Sequence, residues 1–473
     1  MTPSAGRTGD RARTTPLQRR VLAVAILASF IAVLDGFVVN LALPALAREL
    51  GGGLTAQQWV VDAYLLTLGA FILLAGAVSD VVGRGRIMQL GLWGFGITSL
   101  LCALAPNPEL LIVGRTLQGV CGAMLVPSSL SLIMAHFDGV EQSAAIGTWT
   151  ASTGAASIVA PLIGGLAVDL IGWRVIFLVN IAPIGVCLAL LPALMRSDTR
   201  RRGARIDALG GALTVVGLGG LVFALIEAGR LPWTHPLVLG SAALGVGALL
   251  GLVLHERRTP APMIPPALLA VRNVAWGNAA TFAIYGALGL SSLVLTLYLQ
   301  QVAGFSATAA GLATLPTTVL MILCSASIGR LAGRLGARWF MTIGPLLAAA
   351  GHLLLLRVGP EPTYVTDLLP GILLFGVGLT ITVAPLTSAI LGAVPRGIAG
   401  VGSAINNAVA RVAGLVTTAS AGLVVGGALD TAALHRVLVV CAVLFTTGAL
   451  LSLVGIRTPA PTGTAPAPDI MDR

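Results

Sequence analysis

"FIAVLDGFVVNLALPAL", Phe30–Leu46, decides how the rest of the chain is read. The residues around it are apolar almost without interruption from Val21 to Leu43. That run is long enough for a bilayer crossing, which needs roughly 20 apolar residues. Asp35 stands in the middle of it. A carboxylate at that depth costs about 2.5–3.5 kcal/mol on insertion scales, so Asp35 is a functional candidate by default.

Working outward, the chain has 473 residues, 56% hydrophobic and 10% charged, with a mean hydropathy of +0.95. A soluble domain carries about 25% charged residues, so this composition describes an all-α polytopic membrane protein. The net charge is +10 and every basic residue is Arg, with no Lys, which points to a GC-rich genome. The five cysteines, Cys102, Cys121, Cys187, Cys324 and Cys441, sit in apolar runs without metal-ligand spacing and read as small buried hydrophobes. The basic N-terminus precedes an apolar run with no small-residue cleavage site, so that run is expected to be retained as a first helix.

Apolar runs bounded by Arg, Pro, Gly or acidic turns give fourteen candidate spans. They fall near 21–43, 58–79, 87–105, 110–134, 143–169, 175–194, 207–227, 236–254, 274–300, 310–332, 340–357, 365–393, 399–425 and 434–456. An even number puts both termini on one side. Arg84, Arg86, Arg200, Arg257, Arg258, Arg334 and many others fall on that side, whereas only Arg48, Arg174, Arg230, Arg357 and Arg436 fall opposite. By the positive-inside rule both termini are cytoplasmic. This asymmetry accounts for the +10 without a nucleic-acid partner. The expected organisation is a basic N-terminus (1–20), a six-helix bundle (21–194), a loop with two inserted helices (195–254), a linker (255–273), a second six-helix bundle (274–456) and a disordered tail (457–473).

An internal repeat supports two related bundles. "GAVSDVVGRGR" (Gly76–Arg86) separates spans 2 and 3, and "GRLAGRLGAR" (Gly329–Arg338) separates spans 10 and 11. Aligning Gly76 with Gly329 also aligns Gly83 with Gly336. Parallel halves with a binding site between them near the midplane are a transporter plan.

Several stretches together resemble the fourteen-helix drug:proton antiporters of the major facilitator superfamily, the quaternary-ammonium and multidrug efflux type, as found in actinobacteria. "LDGFVVNLALP" (Leu34–Pro44) is similar to the first-helix motif through Asp35, Asn40 and Pro44, and "WVVDAYLL" (Trp59–Leu66) to the second-helix opening. The loop motif keeps Gly76, Asp80, Gly83 and Arg84 but has Val81 and Gly85 where basic residues are usual. "RTLQGVCGAMLVPSS" matches through Arg115, Gln118, Gly119, Gly122 and Pro127, and "AGVGSAINNAVARVAG" (Ala399–Gly414) resembles the thirteenth-helix signature. The fifth-helix antiporter motif is weakened: Pro161, Gly164 and Gly165 match, while Ala156 and Ala160 replace glycines. The resemblance implies a major facilitator fold of two six-helix bundles plus two inserted helices, working by alternating access. It also implies that Asp80, with Gly83, Arg84 and Arg86, forms a gate facing a helix N-terminus of the other half.

Depth ranks the polar residues. At about 1.5 Å per residue, Asp35 lies about 12 Å, Asp62 about 6 Å and Arg115 about 8 Å inside the expected far ends of their helices. Desolvation disfavours a charged carboxyl and a nearby cation favours it. Asp35 with Arg115 supplies both effects, and a cationic substrate would compete with the proton for the same carboxylate. Asp62 reads either as a proton site or as an interfacial residue reaching water, and Arg115 either as the partner of Asp35 or of backbone carbonyls. Asp169, Asp207 and Glu227 sit at expected helix ends open to water. Pro161, Gly164 and Gly165 would bend helix 5 or pack it closely. Asn40, Gln118, Asn406, Asn407 and Arg411 are candidates for the cavity wall, and His352 reads as a packing histidine.

The expected function is proton-coupled efflux of small amphiphilic compounds, cationic ones included, by a monomer in a bacterial plasma membrane. Its partners would be substrate, protons and lipid, with no cofactor and no metal beyond the proton gradient. A dedicated exporter of one metabolite, a proton-coupled importer and a non-transporting membrane sensor are the alternatives. No metal cluster and no Ser/His/Asp or Cys/His arrangement suggests an enzyme.

Overall fold

The computed structural model describes residues 15–192, 207–259, 266–394 and 399–457. The first fourteen residues, the Arg196–Arg205 loop and the tail after Arg457, on which expectations of charge and disorder were placed, lie outside the described residues. So does the side chain of Asp80. The described residues form helices in fourteen membrane-scale segments, ten of them single helices long and apolar enough to cross a bilayer.

The first bundle comprises α1 (Pro16–Leu50), α2 (Gly53–Val82), α3 (Arg84–Ala103), α4 (Pro108–His136), α5 and α6. Helix α5 runs through Gly139–Gly154, Ala156–Val159, a wide π turn at Ala160–Gly164 and Gly165–Leu170; α6 is broken into Val175–Leu178 and Ile181–Leu190. The inserted pair is α7 (Ala208–Glu227) and α8 (Pro236–Glu256). The second bundle comprises α9 (Arg272–Gln301), α10 (Ala307–Leu335), α11 (Ala337–Leu354), α12 (Leu369–Leu391), α13 (Ala399–Ala419 continued by Ala421–Val425) and α14 (Thr431–Gly455).

Helix α1 is longer at both ends than its apolar run. Thr15 and Gln18 form a reciprocal capping box in front of Pro16, so the helix starts inside the stretch expected to be an N-terminal extension. At the other end it continues past Leu43 to Leu50, through Pro44. Helix α2 likewise begins at Gly53, five residues before the expected start. Polar ends of membrane helices project beyond the apolar core, which a hydropathy reading truncates.

The repeated corners are alike in conformation as well as in sequence. Gly83 alone separates α2 from α3 with φ 117° and ψ 133°, and Gly336 alone separates α10 from α11 with φ 90° and ψ 141°. Positive φ is cheap only for glycine, which explains why these two glycines align.

The two bundles join at the face away from the termini, here the far face. The largest apolar cluster runs through both, from Leu34 and Val38 to Leu293 and Leu438. Nearer the terminal face the clusters separate: one, around Met88, Phe95 and Ile133, belongs wholly to the first bundle, and another, around Leu268, Val274 and Ile405, to the second. Among the described residues, the halves meet at the far face and their apolar clusters separate toward the terminal face.

The inserted helices cover one seam between the halves. Val222 and Ile226 of α7 pack with Leu415 and Ala419 of α13, against Trp59 and Leu66 of α2. Helix α8 packs on α7 through Gly220 and Gly245, where an added Cβ would come within 3 Å of backbone. Its other side presents Leu237, Leu244 and Leu250 outward, each more than half exposed, as a lipid-facing helix does.

Candidate functional site

Asp35 sits mid-way along α1 with no solvent exposure, and side chains of α4 and α6 converge on it. Arg115 of α4, also fully buried, donates from its guanidinium to Asp35 Oδ2. Asn180, at the break in α6, donates from Nδ2 to Oδ1 at 2.9 Å. Gln118, one turn after Arg115, donates to the same oxygen at 3.2 Å and to Ser99 Oγ of α3 at 2.9 Å. Every neighbour is a donor, an arrangement complementary to an ionised carboxylate.

Arg115 does not depend on Asp35 alone. Its Nε donates to the Val60 carbonyl at 3.1 Å, its terminal nitrogen to Gln118 Oε1 at 2.7 Å, and its guanidinium lies 4.1 Å from the centre of the Tyr64 ring. Tyr64 is itself held by a 2.7 Å hydrogen bond to the Ala32 carbonyl. The cation is therefore fixed by the scaffold as well as by Asp35.

Asp62 differs from the expectation. Because α2 starts at Gly53, Asp62 is nine residues into the helix, and it has no solvent exposure. The reading of a shallow carboxylate reaching water is corrected. Its Oδ1 lies 2.5 Å from Thr418 Oγ1 of α13, and Oδ2 is buried without a partner. The Thr418 hydroxyl also lies 2.8 Å from the Gly414 carbonyl. The hydroxyl thus ties Asp62 of the first bundle to the backbone of α13 in the second. Glu227 is corrected in the same way: it is buried and bonded to Arg230 at 2.6 Å and Trp59 at 3.4 Å.

The far-face closure is built from close backbone contact. At Gly165, next to the π turn of α5, a Cβ would meet Thr308 Cα of α10 at 2.6 Å; at Gly164 it would meet Val38 of α1 at 2.2 Å. Pro161 faces Gly311. Helix 5 is thus both distorted and closely packed at the motif. One turn on, Asp169 accepts hydrogen bonds from the Ala307 and Thr308 amides at 3.0 and 2.9 Å, so it caps α10 across the two halves. Gln58 of α2 adds bonds to the Thr418 and Ala419 carbonyls, both 2.9 Å.

The remaining candidates divide. Gln118 belongs to the Asp35 network and not to a cavity wall. Asn40 is half-buried, with Oδ1 unpartnered, outside that network. Asn406 bonds Asn278 and Thr281 of α9, which ties α13 to its own bundle. Asn407 is exposed and Arg411 half-buried. At the loop corner Gly83 is buried, Arg84 donates to the Ser131 carbonyl of α4 at 3.1 Å, and Arg86 is exposed. His352 bonds Ser291 at 2.8 Å and packs on Phe375 and Phe445, as a packing histidine should.

The model of the Major Facilitator Superfamily matches residues 25–418. The chain belongs to that superfamily. Among its relatives is a puromycin resistance protein of Streptomyces alboniger, 38% identical over 417 residues, covering 86% of this chain and 82% of the relative. A multidrug resistance protein of Mycobacterium tuberculosis is 34% identical over 387 residues, covering 80% and 70%. An auto-inhibited peptide transporter of the POT family superposes with a TM-score of 0.70 at 15% identity, over 96% of this chain and 99% of that one, and so shares the fold. This superfamily member is a multi-pass plasma-membrane protein with an all-α architecture.

Sequence reasoning missed Asn180, Ser99 and Thr418, all neutral side chains. Ranking by ionisable groups passed over them. The signal for Asn180 was present: in "FLVNIAP" it is the polar residue of an apolar run, three residues before a proline.

Proposed function

We propose that this superfamily member exports amphiphilic compounds, antibiotics among them, in exchange for protons, with both termini in the cytoplasm. The observation that carries this reading is the Asp35 network: an ionisable pair fully buried in a two-bundle fold whose halves meet at the far face. Its scaffold-held cation permits a carboxylate to release a proton when paired and take one up when the pair opens. Asp62, bridging to the second bundle, is a second proton carrier, which gives at most about two protons per cycle. The names of the relatives, resistance to puromycin and to multiple drugs, favour export over import. The gradient supplies the energy, with no cofactor and no covalent chemistry.

The test uses proteoliposomes of the purified chain with an acidic interior. An antiporter exchanges interior protons for external puromycin, so puromycin or one of a panel of amphiphilic dyes accumulates and the interior turns alkaline. A proton symporter loses preloaded compound instead, and a sensor moves none.

Orientation has its own check. In a cysteine-free background, Arg258→Cys on the terminal face and Thr234→Cys in the α7–α8 connection are both exposed. An impermeant maleimide added to intact cells is expected to label only Thr234→Cys. Labelling of Arg258→Cys alone would invert the topology.

A further inference from the structure

The proposed export leaves one charged group without work. Arg411 lies twelve residues into α13, about 18 Å from its terminal-face end and so near the bilayer midplane. No carboxylate pairs with it among the described residues. Asp35 is taken by Arg115, and Asp62 by Thr418. Between residues 369 and 429 the sequence contains no Asp or Glu at all. Asp367 is bonded within its own turn to Thr363, and Asp430 caps α14 at the far face. The titratable side chain within electrostatic reach of Arg411 is Tyr64, a phenol already bonded to Ala32.

Helical spacing shows where the guanidinium stands. Asn407, Arg411 and Thr418 follow one another at four and seven residues and share a face of α13. Thr418 marks that face as the one turned toward α2. At its level the halves touch; toward the terminal face their apolar clusters separate, and Asn407 is exposed. Arg411 stands where contact gives way to the opening. The Nδ2 of Asn407 bonds the Ser403 carbonyl at 3.0 Å and reaches the Ser403 hydroxyl only at 3.5 Å, the long end of hydrogen-bond range.

A guanidinium near the midplane without a counter-charge is expensive, and such groups mark substrate pathways. An ion held in this way is complementary to an anion, with the planar fork suited to a carboxylate, phenolate or sulfonate. We propose that Arg411, aided by Asn407, is the headgroup site for substrates that are amphiphilic anions. The apolar part of such a molecule would lie in the opening between the bundles. This rests on the transport reading but changes its charge preference: the carboxylates Asp35 and Asp62 serve protons, and the substrate's charge meets Arg411.

Two probes with one ring scaffold test it by fluorescence titration on proteoliposomes: 8-anilinonaphthalene-1-sulfonate, an anion, and N-phenyl-1-naphthylamine, its neutral counterpart. Protein-free liposomes supply the background. The wild type is expected to bind the anion at least tenfold more tightly. Arg411→Gln is expected to remove that preference while leaving the neutral probe within about twofold, and Arg411→Lys to restore part of it. Equal binding of both probes by wild type overturns the proposal. So does a uniform loss for both probes in Arg411→Gln, which marks a structural arginine. Proton movement driven by the neutral probe, measured on the same Arg411→Gln liposomes, tests transport separately: its persistence keeps the export reading whatever the charge preference.

Discussion

Asp35→Asn is expected to abolish proton-driven export while leaving exchange of substrate across the membrane. Asparagine keeps the size of the side chain and an oxygen for Arg115, Gln118 and Asn180 to approach, but it cannot take up or release a proton. Exchange needs no net proton movement, so it survives where net export does not. The cost is that Arg115 loses its counter-charge, and breaking a buried pair by removing one partner costs about 3–5 kcal/mol. Here the guanidinium retains the Val60 carbonyl, Gln118 and the Tyr64 ring, and the double variant Asp35→Asn/Arg115→Gln removes the orphaned charge if the single one folds poorly. The measurement is proton release on adding substrate to protein in detergent, beside counterflow in liposomes. Net pH-driven export is expected to fall at least a hundredfold, with counterflow within a few fold of wild type. Asp62→Asn, which leaves the Asp35 network untouched, should keep part of the release. Wild-type release from Asp35→Asn would remove Asp35 as the carrier.

How far the sequence led depends on the kind of signal. Hydropathy carries the spans because the bilayer imposes one length scale on every helix. The repeat was legible because the Gly83 and Gly336 corners need the same unusual φ. Asp35 and Arg115 stood out because charge is rare in apolar runs. What failed was depth: counting from the start of the apolar run placed Asp62 near water, since Gly53 to Gln57 continue the helix without being strongly apolar. Contacts between distant helices also failed. Nothing local in the "VTTAS" or "LAVDLIG" stretches says that Thr418 meets Asp62 across 356 residues of sequence, or that Asp169 caps α10. Such contacts belong to one packing of the two bundles, and periodicity on a single helix cannot see them.

That packing makes the second large prediction. Gly165→Val is expected to prevent closure of the far face while leaving the protein folded. A Cβ at Gly165 would lie 2.6 Å from Thr308 Cα and 2.9 Å from its nitrogen. Those are backbone atoms at the start of α10, where no rotamer change gives relief. The two bundles must separate, and Asp169 then loses the Ala307 and Thr308 amides. Overpacking of this kind costs about 1–3 kcal/mol, which displaces a two-state equilibrium by roughly 5- to 150-fold toward the form open at that face. Alternating access needs both forms, so turnover falls by a similar factor. Folding within each bundle is unaffected, because the contact lies between them. Spin labels at Ile171, beyond the end of α5, and Gln301, at the end of α9, report the separation directly: the variant is expected to show a longer distance than wild type. Gly185→Val in α6, where an added Cβ meets nothing within 4 Å, serves as the control and should match wild type in distance and turnover. If Gly165→Val kept the short distance at wild-type turnover, the α5–α10 contact would not be the closure that the cycle must make and break.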